Sequence, residues 1–176
     1  MRRTARGRGK ARGEAREQQK QLDAAWDRLQ HNEPETVIAS LEQAFADNGA
    51  PATPVDCHDG LATVTMLYGH PDVIPERTPA VTPTGKTMLR KRTKTERNAL
   101  YLDSLASNVL ATLKEGFAVC PALGAISILV VRRDPLPTGG EQLVAIYAAT
   151  FSRQSIADVD WPRIDLAMAI DQPGDR

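Results

Sequence analysis

The chain has 176 residues, 41% of them apolar and 25% charged, which is typical of a folded globular protein. This length supplies one ordinary hydrophobic core, and no apolar run is long enough to cross a bilayer, so two large domains and a membrane-spanning helix are excluded. Cys57 and Cys120 are too few for a secreted disulfide framework, and no apolar stretch of a signal peptide follows the basic N-terminus. A cytoplasmic protein is therefore expected.

The formal net charge of zero is an average over two oppositely charged parts of the chain. Residues 1–20 carry eight basic side chains against two acidic ones, a net charge of +6. The remainder carries 14 basic and 20 acidic groups, a net charge of −6. A cationic segment joined to an acidic body indicates an anionic partner outside the molecule.

The N-terminal region predicts a basic arm followed by a helix. Residues 1–13, the basic arm, are rich in Arg and Gly and cannot bury enough surface to offset their ordering entropy, so disorder is expected. Residues 14–31 contain mainly strong helix formers, with a narrow apolar stripe at Leu22, Ala25, Trp26 and Leu29. A protein partner for helix 14–31 is one interpretation of Trp26, and packing within the chain is the other.

Residues 32–172 are predicted to form a single α+β domain. In chain order the patterns predict a helix 34–47, strands 54–58 and 61–68, an edge strand 73–75, an exposed loop 78–87, a helix 94–116, strands 125–132 and 142–151, and short helices 152–157 and 162–170. Thr93 and Glu96 have the spacing of a capping box at the start of the longest helix. Since hairpins alternate with helices, we expect an antiparallel or mixed sheet of four to five strands packed against helix 94–116, with Leu102 on its buried face.

Two groups of basic residues are candidate nucleic-acid contacts, because closely spaced cations neutralise phosphates and release counterions. The group in the basic arm consists of Arg2, Arg3, Arg6, Arg8, Lys10 and Arg12. The group around the start of the long helix consists of Lys86, Arg90, Lys91, Arg92, Lys94 and Arg97. Cations there oppose the helix dipole, so helix stability does not explain them. The alternative is that both groups are solvated or contact the acidic remainder.

Two other patterns contain metal-ligating or catalytic residue types. Asp56, Cys57, His58 and Asp59 are consecutive, but neighbours along a strand point to opposite sides, so a hairpin turn beside a half-buried thiol is the preferred interpretation. Asp72 and Glu76 could bind magnesium in a nuclease of the PD-(D/E)xK type, although the acidic-x-Lys element that this chemistry needs is missing. We therefore expect no catalytic residue, no metal and no cofactor.

Several segments together resemble a known but uncharacterised region. They are the acidic helix, Val64–Leu67, Asp72–Glu76, Lys91–Lys94, Asn98–Tyr101, Ile126–Val131, and Phe151 with Val159-Asp160. The set, over roughly residues 33–170, resembles a region of actinobacterial multi-domain proteins that precedes restriction-endonuclease-like domains of the Mrr type. The resemblance implies an accessory role in phage defence or DNA conflict, and no functional residue can be carried over.

The leading hypothesis is a non-enzymatic interaction or accessory domain. Its partner would be nucleic acid bound through the basic arm, or a protein bound through helix 14–31, and no membrane partner is expected. One alternative is a divergent metal-dependent nuclease that uses Asp72 and Glu76. The other is a structural subunit of a larger assembly.

Overall fold

The computed structural model describes residues 3–161 and residue 170, with side chains from Arg12 onward. The elements are α1 (Arg3–Gln30), α2 (Pro34–Asp47), β1 (Ala52–His58), β2 (Leu61–Tyr68), a 3₁₀ helix (Pro71–Val73), β3 (Arg77–Val81), β4 (Thr87–Lys91), α3 (Lys94–Val119), β5 (Ala125–Pro135), β6 (Glu141–Ser152) and α4 (Arg153–Ala157). This order confirms the α+β class.

A four-stranded mixed sheet with the order β1-β2-β5-β6 carries the core. Strands β2 and β5 are parallel, and the other two pairs are antiparallel. Parallel neighbours need a long crossover, which here contains α3. The sheet is thus at the lower end of the expected four to five strands.

One face of the sheet is covered by helices. Val64 of β2 lies beside Ile128 of β5, and both are fully buried. Apolar residues of α2 and α3 complete this core: Val37, Leu41, Phe45, Leu105, Val109, Leu113 and Phe117. A Cβ atom on Gly116 would lie 2.8 Å from Ile126 Cδ1, so the missing side chain allows α3 to approach the sheet closely.

Helix α3 begins with the predicted capping box. The Thr93 hydroxyl accepts a hydrogen bond from the backbone N–H of Glu96, and the Glu96 carboxylate accepts one from the N–H of Thr93. The helix continues to Val119, three residues beyond the predicted end. Leu102 was predicted on the buried face but is exposed, because the buried stripe passes through Tyr101 and Leu105 instead.

Two predictions between β2 and α3 were wrong. Residues 73–75 do not form an edge strand: Pro71–Val73 form a 3₁₀ turn, in which the fixed φ of Pro71 suits the first position. Residues 78–87 are not an open loop, since β3 and β4 pair as an antiparallel hairpin. A two-stranded hairpin tolerates Pro79 because the missing N–H can face away from the partner strand. Gly85, at φ +80°, lies in its turn.

Helix α1 runs continuously through the boundary predicted between the basic arm and helix 14–31. The predicted disorder of the arm is therefore not confirmed. Residues 12–24 are exposed, and Leu29, near the end of the helix, packs against the core. In the part of the chain that the structure describes, no helix combines the length and apolarity needed to cross a membrane.

Strands 125–132 and 142–151 and helix 152–157 correspond to β5, β6 and α4. The predicted helix 162–170 lies outside the described residues except for Ile170. That residue is buried, and its carbonyl oxygen accepts a hydrogen bond of 2.6 Å from the Tyr147 hydroxyl of β6.

Candidate nucleic-acid interface

Strands β3 and β4 form a two-stranded ribbon that is separate from the four-stranded sheet. We call residues 77–91 the ribbon. Every residue of β4 is exposed, and Leu89 keeps 60% of its surface accessible. The register places Arg77 opposite Lys91 and Thr78 opposite Arg90. The pairing therefore brings a cation of β3 beside the basic group at the start of α3.

Two arginines attach the ribbon to the rest of the domain. Arg92 Nη1 donates hydrogen bonds to the carbonyl oxygens of Pro75, at 2.8 Å, and Arg77, at 3.0 Å. Arg90 donates two hydrogen bonds to the Glu96 carboxylate, at 2.6 and 3.0 Å. These contacts fix the base of the ribbon against the first turn of α3. Arg90 and Arg92 were predicted to contact nucleic acid, but their guanidinium groups already have intramolecular partners.

Glu96 connects the ribbon to the helix because it serves both as partner of Arg90 and as member of the capping box. The hydrogen bonds from Arg90 and then from the backbone of Thr93 lower the pKa of Glu96 to about 2. The carboxylate is therefore ionised throughout the physiological range. One acidic group thus neutralises Arg90 and leaves the neighbouring cations uncompensated.

Four cations at the ribbon are exposed and, within the described part of the chain, form no side-chain hydrogen bond or ion pair: Arg77, Lys86, Lys91 and Lys94. Lys86, Lys91 and Lys94 belong to the predicted group. Arg77 was missed, because it is distant from that group in sequence and joins it only through strand pairing. An exposed cation without a partner is available to an anionic ligand.

The remaining member of the predicted group, Arg97, is compensated by acidic side chains. Its Nη2 lies 3.5 Å from Asp72 Oδ1, and its Nη1 lies 4.0 Å from Glu76 Oε1. These are the two carboxylates of the nuclease alternative, and they converge on a guanidinium group where that chemistry requires a metal ion. Among the described residues, no three His, Cys, Asp or Glu side chains are grouped as metal ligands.

Asp56, Cys57 and His58 end strand β1, and Asp59 with Gly60 forms the predicted hairpin turn before β2. Asp59 and Gly60 have φ values of 50° and 74°, which is the backbone of a tight two-residue hairpin turn. Cys57 is buried, whereas His58 and Asp59 are exposed and pair with each other at 3.1 Å. The side chains point to different sides and do not form one site.

Helix α1 carries a second cationic surface. Arg12, Arg16 and Lys20 are four residues apart, so they follow one stripe of the helix, and all three are exposed. Of the other predicted contacts, Arg3, Arg6, Arg8 and Lys10 lie on the same helical backbone, and Arg2 lies outside the described residues. Arg12, Arg16 and Lys20 are thus not folded back against the acidic domain, whereas Arg28 near the end of the helix pairs with Glu33 at 3.4 Å.

The sequence matches no family model, no curated protein and no solved structure. The resemblance to the actinobacterial region upstream of Mrr-type domains therefore stays a prediction.

Proposed function

We propose that the protein is a non-enzymatic nucleic-acid-binding domain that contacts the phosphate backbone through the ribbon and the cationic stripe of α1. The observation that carries the proposal is the group of four exposed, unpaired cations at the ribbon. Arg77 and Lys91 face each other across the strands, although like charges directly opposite each other destabilise a strand pair. Such an arrangement is favourable once an anion lies against it.

The dimensions of the ribbon suit a groove of duplex DNA. Strands of five residues extend for about 17 Å, and a two-stranded ribbon fits the major groove, which is about 12 Å wide. If the four cations neutralise four phosphates, the logarithm of the binding constant falls with the logarithm of salt concentration with a slope of about −3.6. Contacts by Arg12, Arg16 and Lys20 would steepen this dependence.

The charge distribution favours binding at these surfaces over binding elsewhere. Residues 76–97 contain seven basic and two acidic side chains, although the chain as a whole is neutral. The acidic remainder of the domain repels a polyanion. The protein is therefore expected to approach a polyanion with the ribbon and α1 facing it.

The test is fluorescence anisotropy of the full chain with a labelled duplex DNA over about 50 to 200 mM salt. The double variant Lys86→Gln/Lys91→Gln removes two ribbon cations without touching the Arg90 and Arg92 contacts. We expect weaker binding and a salt slope shallower by about two units. The matched control is Arg133→Gln, which removes an exposed cation of β5 that already pairs with Glu141.

Three outcomes would contradict the proposal: no binding at the lowest salt, an equal loss in the control, or a salt slope unchanged by the double variant. Deletion of residues 1–20 removes the cationic stripe of α1 and so tests it separately from the ribbon. If the deletion abolishes binding and the double variant has no effect, the ribbon is not a contact. Incubation of the DNA with the protein and Mg²⁺ should leave it intact, and cleavage that Asp72→Ala abolishes would establish the nuclease alternative instead.

A second candidate function is docking of a protein partner on α1. Leu22 and Trp26 are both more than half exposed, and Trp26 borders a groove against α2 with Thr36 and Ala39. Native mass spectrometry of the complex purified from its source should show a stoichiometric partner that Trp26→Ser releases. A complex that survives this substitution would place its interface elsewhere. An accessory role in DNA conflict, as the resemblance implies, is compatible with either partner.

A further inference from the structure

The two faces of the ribbon have different surroundings. Residues opposite each other on antiparallel strands share a face, and alternate residues along a strand point to opposite faces. One face holds the pairs Thr78–Arg90 and Ala80–Met88, and the other holds Arg77–Lys91, Pro79–Leu89 and Val81–Thr87. Thr78 and Ala80 are half-buried, and Arg90 contacts Glu96 of α3. The first face is therefore turned toward the domain, and the second, which we call the ribbon outer face, is turned toward solvent.

The ribbon outer face combines an apolar centre with cations at its base. Val81, at 71%, has the largest exposed fraction of the large apolar side chains in the described part of the chain, and Leu89 keeps 60%. Arg77 and Lys91 lie beside this centre at the base, and Lys86 lies in the turn at the other end. The ribbon contains four basic and no acidic side chains. An occupant of this face must therefore offer negative charge at its borders and apolar groups between them.

The major groove of duplex DNA has this arrangement. Phosphates line both of its edges, and its floor presents base-pair edges, on which the apolar group is the C5-methyl of thymine. The minor groove, about 6 Å wide, is too narrow for a two-stranded ribbon. The ribbon contains no aromatic residue, so it lacks both the stacking platform that binds single strands and the aromatic anchors of membrane surfaces. The chemistry of this face thus favours a duplex over a single strand or a membrane.

We infer that Leu89, with Pro79 and Val81 beside it, contacts thymine methyl groups in the major groove and gives the protein a preference for A·T-rich duplex DNA. This inference rests on the proposed function and adds a sequence preference to it. The ribbon cations bind phosphates, which every sequence has, so they position the protein without selecting bases. The apolar side chains select by burying a methyl group that, among the four standard bases, only thymine carries. Each buried methyl group changes the affinity by about fourfold.

The experiment is fluorescence anisotropy of the full chain with two duplexes of one A·T-rich sequence, the second with deoxyuridine in place of every thymidine. The replacement removes the C5-methyl groups and keeps all phosphates and base-pair hydrogen bonds. The unsubstituted chain should bind the deoxyuridine duplex about 10-fold more weakly, which corresponds to the loss of one or two methyl contacts. The salt slope should be the same for both duplexes, because the phosphate contacts are the same. A G·C-rich duplex should gain affinity when its cytosines carry 5-methyl groups.

The protein variant is Leu89→Ser, and Met88→Ser is its matched control. Both remove an exposed apolar side chain of β4 and leave the charge of the ribbon unchanged, but Met88 lies on the face turned toward the domain. Leu89→Ser should bind the thymidine and deoxyuridine duplexes within about twofold of each other, because it no longer buries the methyl groups. Met88→Ser should keep the full difference. The comparison of duplexes uses the unsubstituted chain, so it decides the inference even if Leu89→Ser does not fold.

The outcomes separate this inference from the proposed function. Equal binding of the two duplexes by the unsubstituted chain, with the expected salt slope, would overturn the inference and leave the proposed function standing. A difference that Leu89→Ser keeps, or that Met88→Ser removes as completely, would do the same. Absence of binding to either duplex would overturn both. Adsorption to phosphatidylserine vesicles that Leu89→Ser abolishes, without discrimination between the duplexes, would assign the ribbon outer face to a membrane instead.

Discussion

The four-stranded sheet and the ribbon are both built from β-strands, but different interactions hold them. The sheet buries one face against helices, and residues such as Val64 and Ile128 are inaccessible to water. The ribbon buries no large apolar residue, and Val81, Met88 and Leu89 are all largely exposed. An isolated two-stranded hairpin is only marginally stable in water, so the ribbon depends on the arginine contacts at its base.

This difference shows where the chain can carry charge without loss of stability. Core positions are restricted to apolar residues by the cost of burying a polar group. Ribbon positions have no such restriction, and three of them, Arg77, Lys86 and Lys91, are unpaired cations. In a segment that contributes little to folding, the residue types can instead be those that a ligand requires. Four predictions test this comparison, and we give them from the largest expected effect to the smallest.

The first prediction compares two leucines. Leu113 of α3 is fully buried, and Leu89 of β4 is 60% exposed. Leu113→Ala should lower the free energy of unfolding by about 2–5 kcal/mol, because it leaves a cavity. Leu89→Ala should change it by no more than about 0.5 kcal/mol. Urea denaturation measures both. Similar losses would show that the ribbon is part of the cooperative core.

The second prediction compares two arginines that bind backbone carbonyl groups. Arg153 donates hydrogen bonds to the carbonyl oxygens of Phe117, Cys120 and Leu123, at 3.0, 2.6 and 2.8 Å, and its guanidinium group lies 4.8 Å from the Phe117 ring centroid. Arg153→Met should cost about 1–3 kcal/mol, since these carbonyl groups lose their donors in a partly buried site.

Arg92→Met removes the comparable contacts to Pro75 and Arg77 at the ribbon. Global stability should change by no more than about 0.5 kcal/mol, whereas hydrogen exchange of the ribbon amides should accelerate. Thermal unfolding and exchange mass spectrometry distinguish the two responses. A global loss as large as that of Arg153→Met would contradict the distinction between the regions.

The third prediction concerns thiol reactivity. Burial raises the pKa of Cys120 to about 11, and burial followed by the charge of Asp56 raises the pKa of Cys57. At pH 8 the thiolate fraction of Cys120 is then about one in 1,000, so neither thiol should react with Ellman's reagent until the protein unfolds. A cysteine introduced in the ribbon by Thr87→Cys should react at once. Reaction of a native thiol at the same rate would show that the core opens locally.

The raised thiol pKa also fixes the sign of a pH effect. The folded state favours the neutral thiol, so its contribution to stability is complete below the unfolded pKa of about 9. The contribution is lost as the pH rises from there through about 11. Thermal unfolding between these values should show a falling midpoint, and Cys120→Ala should reduce the slope.

The fourth prediction concerns the contact between the ribbon and α3. The pKa of Glu96, held at about 2 mainly by Arg90, should rise toward its usual 4.5 in Arg90→Gln. Because the folded-state pKa is lowered, Glu96 stabilises the fold above pH 4.5, and this stabilisation is lost as the pH falls through about 2. An NMR titration of the Glu96 side chain measures the value. An unchanged value in Arg90→Gln would show that the capping box alone holds the carboxylate.

The comparison also explains which sequence predictions failed. Strands β1, β2, β5 and β6 and helices α2 and α3 follow from apolar periodicity and from caps such as Thr93 with Glu96, and all of them are present. The ribbon was predicted as a loop, because prolines and exposed positions hide the pattern of a strand that buries nothing. Its pairing, and with it the position of Arg77, could not be derived from local sequence.

The sequence by itself determined the separation of charge, the helices with their caps and the strands that fill the core, because these depend on residues within a few positions of one another. Only the tertiary structure decided that β2 and β5 are parallel neighbours, that Arg77 joins Lys91, and that Arg90, Arg92 and Arg97 have intramolecular partners. Whether a cation is available to a ligand depends on the groups that folding brings beside it. Those groups lie on other elements of the chain, so residue type and spacing cannot identify them.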